Sequence, residues 1–206
     1  YEAVLTPKNT ADASAELIGG DYLVRFEVRT LEDSRSLGGN DEEDATAAAE
    51  EALTSTDPAI CTDLLTEQYR QQIQLSMGDF AIKACEQELS LTAADSAEVT
   101  RVEVDDDHAT VDVAHTGAAF DGQVLTYEMV KEDGQWKLDL LAGFAEFDKA
   151  AFARSLDKLL KKGKNVNPPG AACYNNQLKA LSVQELEDLY TSGDLRRYLK
   201  LLQACE

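Results

Sequence analysis

Between residues 99 and 141 apolar and polar residues alternate with period two, and on both sides of that block the apolar spacing is helical. The alternation predicts strands over Val99–Val104, His108–Thr116, Gln123–Lys131 and Gln135–Leu141. They are joined by Asp105-Asp106-Asp107, a loop over 117–122, and Glu132-Asp133-Gly134, which makes an antiparallel meander. Asp133-Gly134 is a strong hairpin signal because both residues tolerate positive φ. Parity places Val102, Val104, Ala109, Val111, Val113, His115, Leu125, Tyr127, Met129, Trp136, Leu138 and Leu140 on one inward face. Glu103, Asp112, Glu128 and Asp139 fall on the other, with Arg101 and Lys137, as a solvated face.

Upstream, Tyr22, Val24, Phe26 and Val28 alternate with Leu23, Arg25, Glu27 and Arg29, predicting one half-buried strand after a Gly19-Gly20 turn. A Gly-, Ser- and acid-rich stretch over 32–44 reads as a linker or exposed loop. An Ala-rich helix is expected from Asp44 to about Thr54, and Asp57-Pro58 offers a cap with proline at the first helical position. Further helices are expected over 67–75, capped by Thr66, and over 78–89. These place Cys61 before one helix and Cys85 late in the next. After the strands, Asp148 caps a helix whose Phe152, Leu156, Leu159 and Leu160 form one stripe and which stops at Gly163. Asn165–Gly170, with two prolines, reads as a linker. Ser182-Val183-Gln184-Glu185 fits a capping box, Gly193 a helix stop and Asp194 the next cap.

The four cysteines then change the picture. They fall as two local pairs, Cys61 with Cys85 and Cys173 with Cys205, each bracketing its own helical unit. An even count at these separations fits an exported or cell-surface protein, since cytosolic thiols are kept reduced. The chain has no initiator Met and no apolar run approaching the ~18 residues a membrane span needs. The expectation is a removed signal peptide or lipid-bearing leader, with a lipid anchor the only tie to a membrane. Of 206 residues, residues 1–150 hold 10 Lys and Arg against 33 Asp and Glu, and residues 151–206 hold 9 against 6. A body this acidic, at a net charge of −20, repels nucleic acid and reads first as a solubility device. The lysines over 158–164 are explained by the negative end of their own helix.

Helices followed by antiparallel strands, with Lys131-Glu132-Asp133-Gly134-Gln135-Trp136-Lys137-Leu138 in the late hairpin, resemble the nuclear transport factor 2-like superfamily over roughly Asp44 to Phe144. Pro58 to Leu65 followed by Cys85 is similar to exported bacterial members with paired cysteines in the helices. The resemblance implies an α+β, cystatin-like fold: helices packed on a curved antiparallel sheet that forms a cone with an apolar pocket. The expected layout is a strand segment and acidic linker over 1–43, the α+β domain over 44–147, and a C-terminal helical region over 148–206. In that last region a connecting helix spans 148–163 and disulfide-closed helices span 171–206. The superfamily includes ketosteroid isomerases, polyketide cyclase-like enzymes and non-catalytic binding domains, so fold leaves function open.

An isomerase-like mechanism needs a carboxylate or similar base in an apolar site. None is on the inward face, so no catalytic residue is carried over. His115 is the only inward imidazole, and a hydrogen-bonded or partly solvated strand-end histidine explains it more simply. The three aspartates at 105–107 lack the third ligand and turn glycine of a calcium loop, and His108 is a turn residue. No metal and no cofactor is expected. Tyr69, His115, Tyr127, Met129 and Trp136 are the candidates to line a pocket for a small apolar ligand, with ordinary core as the plainer explanation for the aromatic residues and Met. The sequence therefore points to an exported, monomeric, non-catalytic binding or interaction protein. Its partner would be a small apolar molecule or another surface protein; the alternative is a small isomerase- or cyclase-like enzyme acting on an apolar substrate.

Overall fold

The period-two block folds as four antiparallel strands in sequential order, β1 (Ser96–Asp105), β2 (His108–Thr116), β3 (Val124–Glu132) and β4 (Gln135–Glu146). The computed structural model describes residues 40–162 and 168–205; the strand expected over 22–28 and the Gly163 stop lie outside them. Asp133 and Gly134 both take positive φ in the β3–β4 turn, 51° and 82°, as an Asp-Gly hairpin requires. Before the sheet come α1 (Asp41–Thr54), α2 (Ile60–Asp63), α3 (Glu67–Gln74) and α4 (Asp79–Thr92). After it come α5 (Lys149–Lys162), α6 (Pro168–Ala180), α7 (Val183–Ser192) and α8 (Leu195–Gln203).

Sequence boundaries moved where capping chemistry was stronger than expected. α1 starts at Asp41 instead of Asp44, because four acids in its first turn suit the positive end of the helix dipole. Cys61 lies inside a short helix, not before one, since the Asp57 carboxylate accepts from the Ala59 N–H at 2.9 Å and closes the turn that leads into α2. The linker expected over 165–170 is corrected over 168–170, since α6 begins at Pro168, a first-turn position where the N–H that proline lacks would have no partner; residues 165–167 lie outside the described residues. Thr66 caps α3, Ser182 and Glu185 form the capping box of α7, and Gly193 ends α7 at φ 58°.

One inward assignment is overturned. Opposite β3, Met129 pairs with Leu138, Glu128 with Leu140, Tyr127 with Leu141 and Thr126 with Gly143. Asp139 and Ala142 are thus extra residues, and Ala145 is a third, between Phe144 and Glu146. Each bulge resets parity and bends the strand. Leu140 is therefore only half-buried, and Leu141 takes the core position at 1% exposure. The same bending lets α1 touch both β1 and β4, which lie three strand spacings apart in a flat sheet. Ala45, Ala49 and Ala52 bring the α1 backbone close to the inner face.

The core under α1 joins a second one, formed by Phe152 and Leu156 of α5, Leu178 of α6, and Leu186 and Leu189 of α7. Phe120, Phe144 and Tyr190 pack against both. Cys61 and Cys85 are bonded between α2 and α4, and Cys173 and Cys205 between α6 and the residues after α8, with Cα separations of 6.1 and 5.6 Å. Loops of this size stabilise by about 3 kcal/mol in the chain-entropy account.

The edge of β4 is closed at Leu138 by the backbone, which accepts from the Thr66 N–H and donates to the Leu64 carbonyl at 2.9 Å each, and further along by side chains. The Gln72 amide accepts from the Leu141 N–H at 2.8 Å and donates to the Leu141 and Thr191 carbonyls at 2.9 and 2.8 Å. Glu187 accepts from the Phe144 N–H at 2.9 Å, and a Cβ on Gly143 would lie 2.9 Å from that carboxylate, so a larger residue there would have to push Glu187 aside. Gln123 repeats the device at the start of α5, accepting from the Asp148 N–H at 2.7 Å and donating to the Asp148 and Asp121 carbonyls. Two buried amides thus dock the C-terminal helices onto the sheet.

Candidate functional site

Tyr69, Tyr127, Met129 and Trp136 belong to the first core, His115 adjoins it through Tyr127, and none of the five is more than 8% exposed. His115, Tyr127 and Met129 come from adjacent strands β2 and β3, Trp136 opens β4, and Tyr69 stands in the first turn of α3 behind its Thr66 cap. Tyr127 Oη and His115 Nε2 share a hydrogen bond of 2.9 Å, with ring centroids 5.8 Å apart. The Tyr69 ring also lies near Tyr127, with centroids 6.3 Å apart, and Phe120 lies near His115 at 6.3 Å. The Trp136 indole N–H is buried without a hydrogen-bond partner among the described residues, and the Lys131 ammonium sits over its ring at 5.6 Å.

Burial keeps this group uncharged. It pushes the His115 imidazole down to about 4 and the Tyr69 and Tyr127 phenols well above their ordinary value. The four carboxylates expected on the outer face are outside this core: Glu103 and Glu128 are exposed, Asp139 is half-buried, and Asp112 accepts from Thr126 at 2.6 Å and pairs with Arg101 at 3.5 Å.

The His115 shift has a measurable sign. An imidazole neutral when folded takes up a proton on unfolding between about pH 4 and its ordinary 6.5. The unfolded chain binds more protons across that window, so stability falls as pH drops through it, by on the order of 3 kcal/mol for a shift of this size. Urea unfolding across the window is expected to show the loss, and His115→Gln, which keeps a partner for Tyr127, to reduce it. Equal slopes in the two proteins contradict the assignment.

A cleft of about 300 Å³ lies elsewhere, between the start of β1, the β2–β3 loop and α5. It is lined by Asp95, Gly117, Asp121 and Lys158 among others, and contains none of the five candidates. The Lys158 ammonium meets Asp121 there at 2.9 Å and holds its carboxyl below the usual range.

Sequence reasoning missed Gln72 and Gln123, polar residues at 6% and 1% exposure whose only signal is the structure itself. The helix after the Asp194 cap is present as expected, but its solvent-facing stripe was missed: Leu195, Leu199 and Leu202 are 45%, 42% and 47% exposed, and their i, i+4, i+7 spacing was the available signal.

No protein-family profile and no solved structure matches this chain. Over 44 residues, 21% of its length, the chain is 50% identical to "Uncharacterized protein in ackA 5'region" of Rhizobium meliloti. That stretch covers 6% of the Rhizobium protein, so the similarity is to a short segment of a much longer chain.

Proposed function

We propose that this chain is an exported, non-catalytic interaction protein built on a nuclear transport factor 2-like domain, with the sheet interior as structural core and binding on its outer surfaces. The carrying observation is that Tyr69, Tyr127, Met129 and Trp136 are packed into one core with His115 bonded to its edge, all at 8% exposure or less, and Glu103, Asp112, Glu128 and Asp139 outside that core. The fold assignment is supported by helices preceding a four-stranded antiparallel sheet that bends round α1. Export is supported by the two cysteine pairs at bonding distance; among the described residues no helix is long and apolar enough to cross a membrane.

The isomerase alternative would rest on His115. A general base works best with a pKa near the operating pH, and burial takes this imidazole to about 4. Titrating a steroid and a fatty acid while following the fluorescence of Trp136, the single tryptophan, tests the reading. No saturable change is expected. A saturable change lost in Tyr127→Leu, or turnover of a ketosteroid lost in His115→Gln, would falsify it.

A further inference from the structure

α8 is held to the protein by one apolar edge and shows a second to solvent. Tyr198 and Leu201 pack into the second core, whereas Leu195, Leu199 and Leu202 stand 42–47% exposed on a neighbouring stripe. That stripe covers two turns, about 10 Å. The helix also carries Arg196, Arg197 and Lys200 and no acid. At 100° per residue Arg196 and Lys200 border the exposed leucines on the side away from the core. Arg196 bonds only its own cap residue, Asp194, at 3.2 Å and stays 90% exposed; Arg197 leans back to Asp188 at 3.8 Å.

We propose that this face docks an amphipathic helix of another protein, one whose apolar stripe is flanked by aspartates or glutamates. The proposal rests on the surface-binding reading above and names its site and partner chemistry. Two turns of exposed leucine match the i, i+3/i+4, i+7 anchors of helix-in-groove recognition, and the cationic border selects the sign of the partner's flanks.

Charge argues against the other occupants. Two-fold antiparallel pairing of α8 with a second copy would set the Arg196–Lys200 border against itself, like charge on like. The acidic helix α1 has its apolar residues Ala45, Ala49 and Ala52 turned into its own core, and so offers a second copy no leucine stripe. An anionic membrane plane would face the acidic body as well as α8, whereas one docked helix meets chiefly the local Arg196–Lys200 border, with charges more than about 10 Å away screened.

The probes are two labelled amphipathic peptides of about 18 residues with the same leucine stripe, one flanked by glutamate and one by lysine. Fluorescence anisotropy with the full chain is expected to show the glutamate peptide binding roughly tenfold more tightly, and weakening with salt. Leu199→Asp should abolish binding and Lys200→Glu should invert the preference, with circular dichroism unchanged because both side chains are exposed. Equal binding of the two peptides, or binding of neither, overturns the proposal. So does preferential binding to phosphatidylserine vesicles, or a dimer in sedimentation that Leu199→Asp dissolves. The Trp136 titration decides the underlying reading separately, so failure at α8 leaves that result standing.

Discussion

Phe152→Ala is expected to destabilise the protein by about 3–5 kcal/mol, among the largest effects of any single substitution. Phe152 is fully buried, with ring centroids 6.1 Å from Phe120, 5.2 Å from Phe147 and 6.3 Å from Tyr190. These neighbours come from the β2–β3 loop, the β4–α5 connection and α7, and Phe144 of β4 stacks on Phe147 at 4.4 Å. Three separately anchored segments cannot all move inward to refill the space, so the cavity term persists in addition to the lost transfer energy. Denaturant unfolding measures the loss. A change below about 1 kcal/mol would mean the C-terminal helices are not held by this cluster.

Gln72→Leu is the second large effect, at about 3 kcal/mol, because it preserves side-chain volume while removing three hydrogen bonds. The Leu141 N–H and C=O and the Thr191 carbonyl lose their partner in a site where Gln72 itself is 6% exposed. An unpaired buried group costs its full desolvation, about 1–3 kcal/mol each where no water enters. Amide exchange at Leu141 should accelerate along with the fall in stability. Unchanged protection there would contradict the role assigned to this amide.

The meander, its turns and its caps were legible because each is encoded locally. Alternation marks β2 from His108 to Thr116, Asp133-Gly134 supplies the two positive φ angles, and Ser182 with Glu185 spells its capping box. The cysteine pairs were legible because each brackets one helical unit. The bulges of β4 were not, since Asp139, Ala142 and Ala145 look like ordinary alternation until register with β3 makes them extra residues. That is why Leu140 was placed inside where Leu141 belongs. Pro168 and Pro169 carry opposite meanings in a linker and at a helix start, and only the packing of α6 on α5 decides between them. Parity placed His115, Tyr127, Met129 and Trp136 on the inner face, where the structure buries them, whereas Tyr69 sits on α3 and has no strand parity. Whether such a set is core or pocket depends on how far the sheet bends over α1, which no single strand encodes.

The two methionines report on opposite sides of the central claim, since Met129 is 1% exposed beside Tyr127 and Met77 is 73% exposed after α3. The most direct measurement is a 13C-methyl methionine spectrum recorded during titration with a small apolar probe such as a short-chain alcohol or xenon. A filled interior with its binding surfaces outside predicts that the Met129 resonance stays fixed at all probe concentrations while Met77 shifts. A saturable shift of Met129 would contradict it, and would show that the space enclosed by the sheet admits a ligand.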